Sequence, residues 1–329
     1  MNDTFRALVA RQQESGYAVG LEELREPDLP ADGVLVDVEY SSLNYKDALA
    51  VTGRGRIIRR FPMVPGIDLA GTVVEAPGGE YRTGARVLAV GQGLGETEWG
   101  GFTQRQRVRA DALIPVPESL SSEEAMRIGT AGVTAMLCVL ALEHHGIDKG
   151  REVIVTGASG GVGSVAVHLL AHRGYQVVAS SGKPELEPYL RSLGASSIAS
   201  RQELEKKGGP LQPERWGGGI DTVGGETLVN LYAQTAYEGA LACCGMAGGN
   251  ELQTTVWPLI LRNVALLGIS SIRTPRPKRI EAWTALAAEL DRDLLASMSR
   301  TEPLSRIEEL AAALLDGKLH GRVAIDTGA

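Results

Sequence analysis

The chain has 329 residues, 43% hydrophobic and 22% charged. At roughly 100–200 residues per domain this is two domains of ordinary globular sequence, and disorder is excluded. The 33 Lys and Arg against 40 Asp and Glu leave a net charge of −7, which argues against a nucleic-acid partner but not against a local basic pocket. The three cysteines, Cys138, Cys243 and Cys244, form no disulfide framework and no zinc lobe, and they fit a reducing compartment. The first twenty residues lack an apolar core of signal-peptide length. The longest uncharged stretch, Ile128–Leu142, is shorter than the ~18–20 residues of a bilayer span. A soluble, cytoplasmic protein is expected.

Residues 1–125 read as strands and turns. Val34–Tyr40 (VLVDVEY) alternates with period two, and Gly71–Glu75 and Arg86–Val90 are further β-type runs between glycine and proline clusters. A compact, irregular barrel is expected here. From Ser121 the pattern changes. Ser121–Glu124 (SSEE) is a helix-capping signature, and the helix it opens carries the uncharged run. Strand-like and helical segments then alternate. Val153–Thr156 is a buried strand, followed by a helix from about Ser164 to Arg173. Gln176–Ser180 is a strand and Glu185–Leu193 a helix; Ser197–Ala199, Gly219–Val223, Ala240–Cys244 and Ala265–Ile269 are short strands. The alternation predicts a doubly wound parallel sheet, an α/β fold. Helices around Ile280–Leu290 and Ile307–Leu315 and a strand at Arg322–Ile325 complete the chain.

The stretch VIVTGASGGVGSVAVHLLAHRG (153–174) is strand, glycine turn and helix. Within it Ala158-x-Gly160-x-x-Gly163 is the dinucleotide fingerprint with alanine in its first slot. Gly160 lets backbone approach a pyrophosphate, Gly163 lets the helix pack against the strand, and the helix N-terminus offers free N–H groups. Gly157-Ala158-Ser159-Gly160-Gly161 also fits the nucleophile elbow of α/β-hydrolases, with Asp293 or Asp316 and His320 as partners. No His-Gly-Gly segment precedes it, and Gly161-Val162-Gly163 suits a phosphate cradle, so the dinucleotide reading is preferred.

An NAD site carries a carboxylate at the end of the second strand, about twenty residues on. Here that strand ends Ser180-Ser181-Gly182-Lys183, without one. Ser181, Gly182 and Lys183, with Arg201 after the third strand, suit a 2′-phosphate, so NADPH is the expected cofactor. His168 and His172 lie four apart on one helix, but Leu169 stands where a zincin has Glu, and no other cluster has metal spacing.

The segments SSLNYKDAL (41–49), FPMVPGIDLAGTVV (61–74), GTAGVTAM (129–136), VTGASGGVG (155–163), SGK (181–183), DTVG (221–224), CGMAG (244–248) and LRN (261–263) resemble the medium-chain dehydrogenase/reductase superfamily along essentially the whole chain. Within it the sequence is similar to the zinc-free quinone-oxidoreductase branch and, more narrowly, to the bacterial acrylyl-CoA reductase subfamily. The resemblance implies a GroES-like β-barrel catalytic domain over 1–125 and 293–329, split around a Rossmann domain over 126–292, with the active site in a cleft between them. In alcohol-dehydrogenase relatives Cys stands in the place of Asn44 and His in that of Ile67. Neither ligand is present, Asp68 alone cannot hold zinc, and no metal is expected.

Residue by residue, the resemblance implies a cofactor contact at Tyr45. It places Gly160, Gly161, Val162 and Gly163 at the pyrophosphate, and Ser181, Gly182, Lys183 and Arg201 at the 2′-phosphate. Met246, Ile260, Ser271 and Arg322 are implied to line the nicotinamide side. Lys183 stands where Arg is common, which turns a bidentate contact into a point charge. The implied reaction is NADPH-dependent reduction of an activated C=C, acryloyl-CoA to propionyl-CoA. Asn44 is the candidate oxyanion donor, and Tyr45 orients or protonates the substrate or only stacks on the cofactor. Quinone reduction and a non-enzymatic NADPH-binding role are the alternatives. Two basic loops, Arg54/Arg56/Arg59/Arg60 and Arg273/Arg276/Lys278/Arg279, are candidates for the phosphates of a CoA thioester. A homodimer joined near Ala265–Ile269 is expected by resemblance.

Overall fold

The computed structural model describes residues 4–14 and 16–329. Two strands open the chain, β1 (Thr4–Gln13) and β2 (Gly16–Arg25), paired antiparallel along their length. Phe5, Ala7 and Val9 of β1 enter a core with Leu24, Leu29, Leu35 and Val64. In β3 (Val34–Ser42) the period-two pattern does what the pleat requires. Val34, Val36 and Val38 pack into a core with Leu69, Val73, Val87 and Ala89. Asp37 on the other face pairs with Arg105 at 2.7 Å. Next come α1 (Tyr45–Val51), β4 (Asp68–Glu75), β5 (Arg86–Val90), β6 (Arg105–Val108) and β7 (Ile114–Pro115).

Helix α2 (Ser122–His145) starts on the expected capping box: Glu124 N–H donates to Ser121 Oγ at 3.1 Å, and Ser121 N–H to the Glu124 carboxylate at 2.8 Å. It is not one continuous helix, because Gly129 takes φ +52° and breaks it. By length and composition α2 could span a membrane, but 72% of its apolar window is buried inside the protein, so it reads as a core helix.

The second half contains β8 (Val153–Val155), α3 (Gly161–His172), β9 (Val177–Ser181), α4 (Glu187–Ser192), β10 (Ser197–Ser200), α5 (Arg201–Leu204), β11 (Trp216–Asp221), α6 (Gly225–Gln234), β12 (Thr235–Cys243), α7 (Trp257–Arg262) and β13 (Ala265–Gly268). Among the described residues these strands form one parallel sheet in the order β10-β9-β8-β11-β12-β13. That is the doubly wound order, with its reversal between β8 and β11, where such sheets bind ligands. Ile154, Val178, Leu231 and Leu241 fill its core. Strand β13, expected as a short strand over Ala265–Ile269, is an edge strand whose residues alternate between half-buried and exposed.

The chain returns through α8 (Arg276–Glu289), α9 (Arg292–Ser297), β14 (Ser299–Pro303), α10 (Ile307–Leu315) and β15 (Arg322–Asp326). Strands β14 and β15 join β3, β4, β5 and β7 in a second sheet, with β6 on β3. Ile307, Leu310 and Ala311 of α10 pack with Leu43, Ala48 and Val51 around α1. Contacts divide the chain into a first unit, 1–130, 271–287 and 291–329, and a second, 131–270 and 288–290. The boundaries read from sequence, 125/126 and 292/293, leave out 271–287. That segment joins the first unit because Arg279, buried, donates to the carbonyls of Asp111 and Ala112 at 2.6 Å each.

Candidate active site

In the second unit the glycine turn follows β8 at the point where strand order reverses. Gly157 takes φ +59°, which L-residues rarely adopt. A Cβ on Gly163 would lie 2.3 Å from the Gly157 carbonyl oxygen and 2.7 Å from Ala158 Cα, so only glycine lets α3 close on the turn. Gly160, the exposed N-cap, would bring its Cβ no nearer than 3.2 Å to the Gly157 carbonyl. Gly161, Val162 and Gly163 begin the helix, so their N–H groups have no partner within it. This cradle fits a pyrophosphate: backbone donors, a positive helix end, and no side chain at Gly160.

Beside it, β9 and β10 run parallel with Ser181 opposite Ser200. Ser181 Oγ lies 3.2 Å from Ser159 Oγ and accepts from Lys183 N–H at 3.1 Å. The Arg201 stem covers Gly182, with Cδ 3.1 Å from where a Cβ would stand, and its guanidinium pairs with Glu205 at 2.5 Å. The structure thus gathers Ser181, Gly182, Lys183 and Arg201 at one lip. Across the turn, Asp221 is held by Thr156 Oγ1 at 2.6 Å and by Gly224 N–H at 2.7 Å. Burial raises its pKa against those hydrogen bonds.

In the first unit the start of α1 lies over a buried polar cluster. Asn44 caps the helix with extended backbone, and Tyr45 is its first residue, half exposed. The helix forms because Asp47, three residues after the cap, accepts from Asn44 N–H at 2.9 Å. Asp47 also accepts from Ile67 N–H at 2.8 Å and Asn44 Nδ2 at 3.1 Å. Asp68, fully buried, accepts from Ser42 Oγ at 2.5 Å, Asn44 Nδ2 at 2.9 Å, Thr130 N–H at 2.8 Å and Thr130 Oγ1 at 2.5 Å. Asp68 thereby ties down the residue that follows the Gly129 break.

Two expected roles change here. The Asn44 amide was expected to face an oxyanion. It is 7% exposed, and both ends are taken: Nδ2 by Asp68, Asp47 and Ser42, and Oδ1 by Arg322 at 3.2 Å. Arg322 was expected beside the nicotinamide. It is 3% exposed, and its guanidinium donates to the Arg127 carbonyl at 3.0 Å, Ser42 Oγ at 3.1 Å and Asn44 Oδ1. Burial lowers its pKa, opposed by the nearby Asp68 and Asp47. The cluster holds two carboxyls against one guanidinium in low dielectric. The Asp47 carboxyl is accordingly pushed up to about 7, first by burial and then by Asp68. The sequence reading missed Asp47 as a cluster member, although Asn-x-x-Asp is itself a capping pattern.

Of the remaining expected residues, Met246 and Ile260 are exposed apolar side chains of the second unit, and Ser271 is buried in the first. In the second basic loop Arg279 is buried on carbonyls and is not available to a ligand. The nucleophile-elbow reading does not survive: Ser159 Oγ sits against Ser181, while Asp316 pairs with Lys318 at 3.0 Å and Arg54 at 3.4 Å. The His168 and His172 rings lie 6.0 Å apart, and no group of three or more metal-type ligands occurs among the described residues.

Comparison with known proteins agrees with this architecture. Residues 30–118 match the alcohol dehydrogenase GroES-like domain, and residues 161–291 match the family described as zinc-binding dehydrogenase. The acrylyl-CoA reductase AcuI of Ruegeria pomeroyi is 46% identical over 99% of this chain and 100% of its own length. The Escherichia coli K-12 AcuI, which carries that name provisionally, is 47% identical over 97% of this chain and 99% of its own. The Bacillus subtilis protein YhfP, provisionally named a quinone oxidoreductase, is 41% identical over 99% of each chain. Among solved structures, the yhdH oxidoreductase of Salmonella enterica in complex with NADP is 49% identical, with TM-score 0.95 over 98% of this chain and 99% of that one. YhfP with NAD bound gives TM-score 0.94 at 40% identity over 98% and 99%. A GroES-like domain, a doubly wound sheet with a dinucleotide cradle and full-length identity of this size place the chain in the medium-chain dehydrogenase/reductase family, in the group that contains the AcuI proteins.

Proposed function

We propose that the protein is an NADPH-dependent oxidoreductase that reduces the activated C=C of an acryloyl thioester, acryloyl-CoA to propionyl-CoA. The observation that carries the cofactor is the lip at the end of β9, where the strand ends Ser180-Ser181-Gly182-Lys183 with no carboxylate at the ribose position and the stem of Arg201, whose guanidinium pairs with Glu205, covers Gly182. Full-length identity to proteins named acrylyl-CoA reductase supports the substrate.

The residues divide the work as follows. The α3 N-terminus binds the pyrophosphate, and Lys183 and Arg201 take the 2′-phosphate. Bound NADPH supplies the hydride. As the β-carbon is reduced, negative charge grows on the thioester oxygen, and the α-carbon needs a proton. Tyr45, half exposed, carries the phenol we assign to orienting the substrate or delivering that proton. Asn44 and Asp47 fix the start of α1 and hence Tyr45. Asn44 and Ile67 leave no His or Cys beside Asp68, so the reaction is read as metal-independent. A cytoplasmic homodimer, joined through the exposed edge at β13, completes the reading.

A quinone is the second reading, favoured by the similarity to YhfP. Oxidation of NADPH by the purified protein, followed at the nicotinamide absorbance with acryloyl-CoA and separately with a quinone, decides between them. Higher kcat/KM for acryloyl-CoA is expected. Turnover of the quinone alone would replace the first reading by the second.

A further inference from the structure

We propose that Arg56, Arg59, Arg273, Arg276 and Lys278 form a single cation rim on the first unit that takes the phosphates of the coenzyme A handle. This rests on the acryloyl-thioester reading and names what the chain uses to hold the part of the substrate far from the reacting carbon.

The structure separates cations already used from those that are not. Arg54 pairs with Asp316 at 3.4 Å, Arg60 with Glu98 at 3.2 Å, and Arg279 is buried on two backbone carbonyls. Arg56, Arg59, Arg273, Arg276 and Lys278 are exposed, and among the described residues no carboxylate lies within 4.0 Å of any of them. Elsewhere on this acidic protein many arginines are matched: Arg11 with Glu22, Arg105 with Asp37, Arg107 with Glu75, Arg173 with Glu289 and Arg306 with Glu309. Exposed cations without such a partner also occur singly or in pairs elsewhere, as at Arg25, Arg82 and Lys206–Lys207, but these two loops together carry five of them.

Both loops are fastened to the same segment, the turn after β5. Arg59 N–H donates to the Glu96 carbonyl at 2.9 Å, while Gln92 Nε2 donates to the Ile272 carbonyl at 2.9 Å. Gln92 and Glu96 are four residues apart, so their backbones lie within about 14 Å at full extension. The turn is tighter than that, since the N–H groups of Glu96, Thr97 and Glu98 all converge on the Gly93 carbonyl. Two cation clusters distant in sequence thus flank one short turn.

The placement on α8 adds an independent reason. Arg276 and Lys278 lie in its first turn, which contains no acidic residue. Cations at a helix N-terminus oppose the macrodipole, so they do not stabilise this helix by themselves. An anion there satisfies the cations and the helix end together. Coenzyme A carries a 3′-phosphate and a pyrophosphate, and a guanidinium fork binds phosphate oxygens in pairs.

The test uses two substrates with the same reacting group. Acryloyl-CoA and acryloyl-pantetheine are compared in the parent, in Arg56→Ala/Arg59→Ala, in Arg273→Ala/Arg276→Ala/Lys278→Ala, and in Arg82→Ala, an exposed arginine outside both loops. For acryloyl-CoA each multiple variant is expected to raise KM roughly tenfold and to flatten its dependence on salt, with kcat retained. Acryloyl-pantetheine kinetics and the Arg82 variant should match the parent. Equal KM changes for both thioesters, or none for acryloyl-CoA, would overturn the proposal. A second measurement does not depend on turnover: calorimetric titration of adenosine 3′,5′-bisphosphate into the NADP⁺-saturated protein. Binding by the parent that is lost in the combined five-site variant supports the rim even if the thioester is not reduced, in which case only the reaction reading fails. Absent binding, or binding unchanged in that variant, overturns the rim.

Discussion

Replacing Asp47 by Asn removes a buried titratable group while keeping its shape. The Asp47 carboxyl is pushed up from 3.8 to about 7 by burial and by Asp68. Between those values the folded chain holds a proton that the unfolded chain has released, so the folded state binds more protons and stability falls as pH rises. The contribution is fully present below the unfolded value and is lost as pH passes through the folded one. A displacement of this size corresponds to at most about 4 kcal/mol. In Asp47→Asn that loss does not occur. The amide keeps one acceptor oxygen, so an N–H from Ile67 or Asn44 loses its partner, a pH-independent penalty of about 1–3 kcal/mol. The variant should therefore be less stable than the parent near pH 4.5, with the gap narrowing or reversing by about pH 8. Urea unfolding of both proteins across that range, followed by circular dichroism, reads the difference directly and cancels every other titrating group. Two stability curves that stay parallel within about 1 kcal/mol would refute the reasoning that burial beside Asp68 raises this carboxyl.

Tyr45→Phe should lower kcat by roughly 10²–10⁴ if the phenol moves or positions a proton; a loss under about threefold leaves Tyr45 as a cofactor contact only. Lys183→Ala combined with Arg201→Ala should raise KM for NADPH about tenfold and leave NADH kinetics unchanged, and an equal effect on both would show that the β9 lip does not read the 2′-phosphate. Gly129→Ala should unfold at lower urea by about 2–4 kcal/mol. Its Cβ would meet Arg322 Nη2 and Ser42 Oγ at 2.6 Å and Asp68 Oδ2 at 2.7 Å, at φ +52°, so a parent-like midpoint would contradict that geometry. Elemental analysis after dialysis should find no stoichiometric zinc, and one zinc per chain would overturn the metal-independent reading.

Local patterns were enough wherever the controlling interaction is short in range. The alternation of Val34, Val36 and Val38 specified β3, the capping residues Ser121 and Glu124 specified the start of α2, and Ala158, Gly160 and Gly163 marked the turn between β8 and α3. The absence of a carboxylate at the end of β9 was legible in the same way, because Ser180–Lys183 is one stretch of chain, whereas the cover of Gly182 by the Arg201 stem comes from the pairing of β9 with β10. What sequence left open depends on residues far apart along it. Arg322 and Asn44 carry polar groups that suit a ligand, and only the fold, by bringing β3, α1, β4, Thr130 and β15 together, commits them to one another. Arg279 counts as surface charge in sequence, yet the carbonyls of Asp111 and Ala112, more than 160 residues away, bury it. A side chain's type states which hydrogen bonds it can make; whether its partners are water, ligand or protein is decided by burial, and burial is a property of the whole chain.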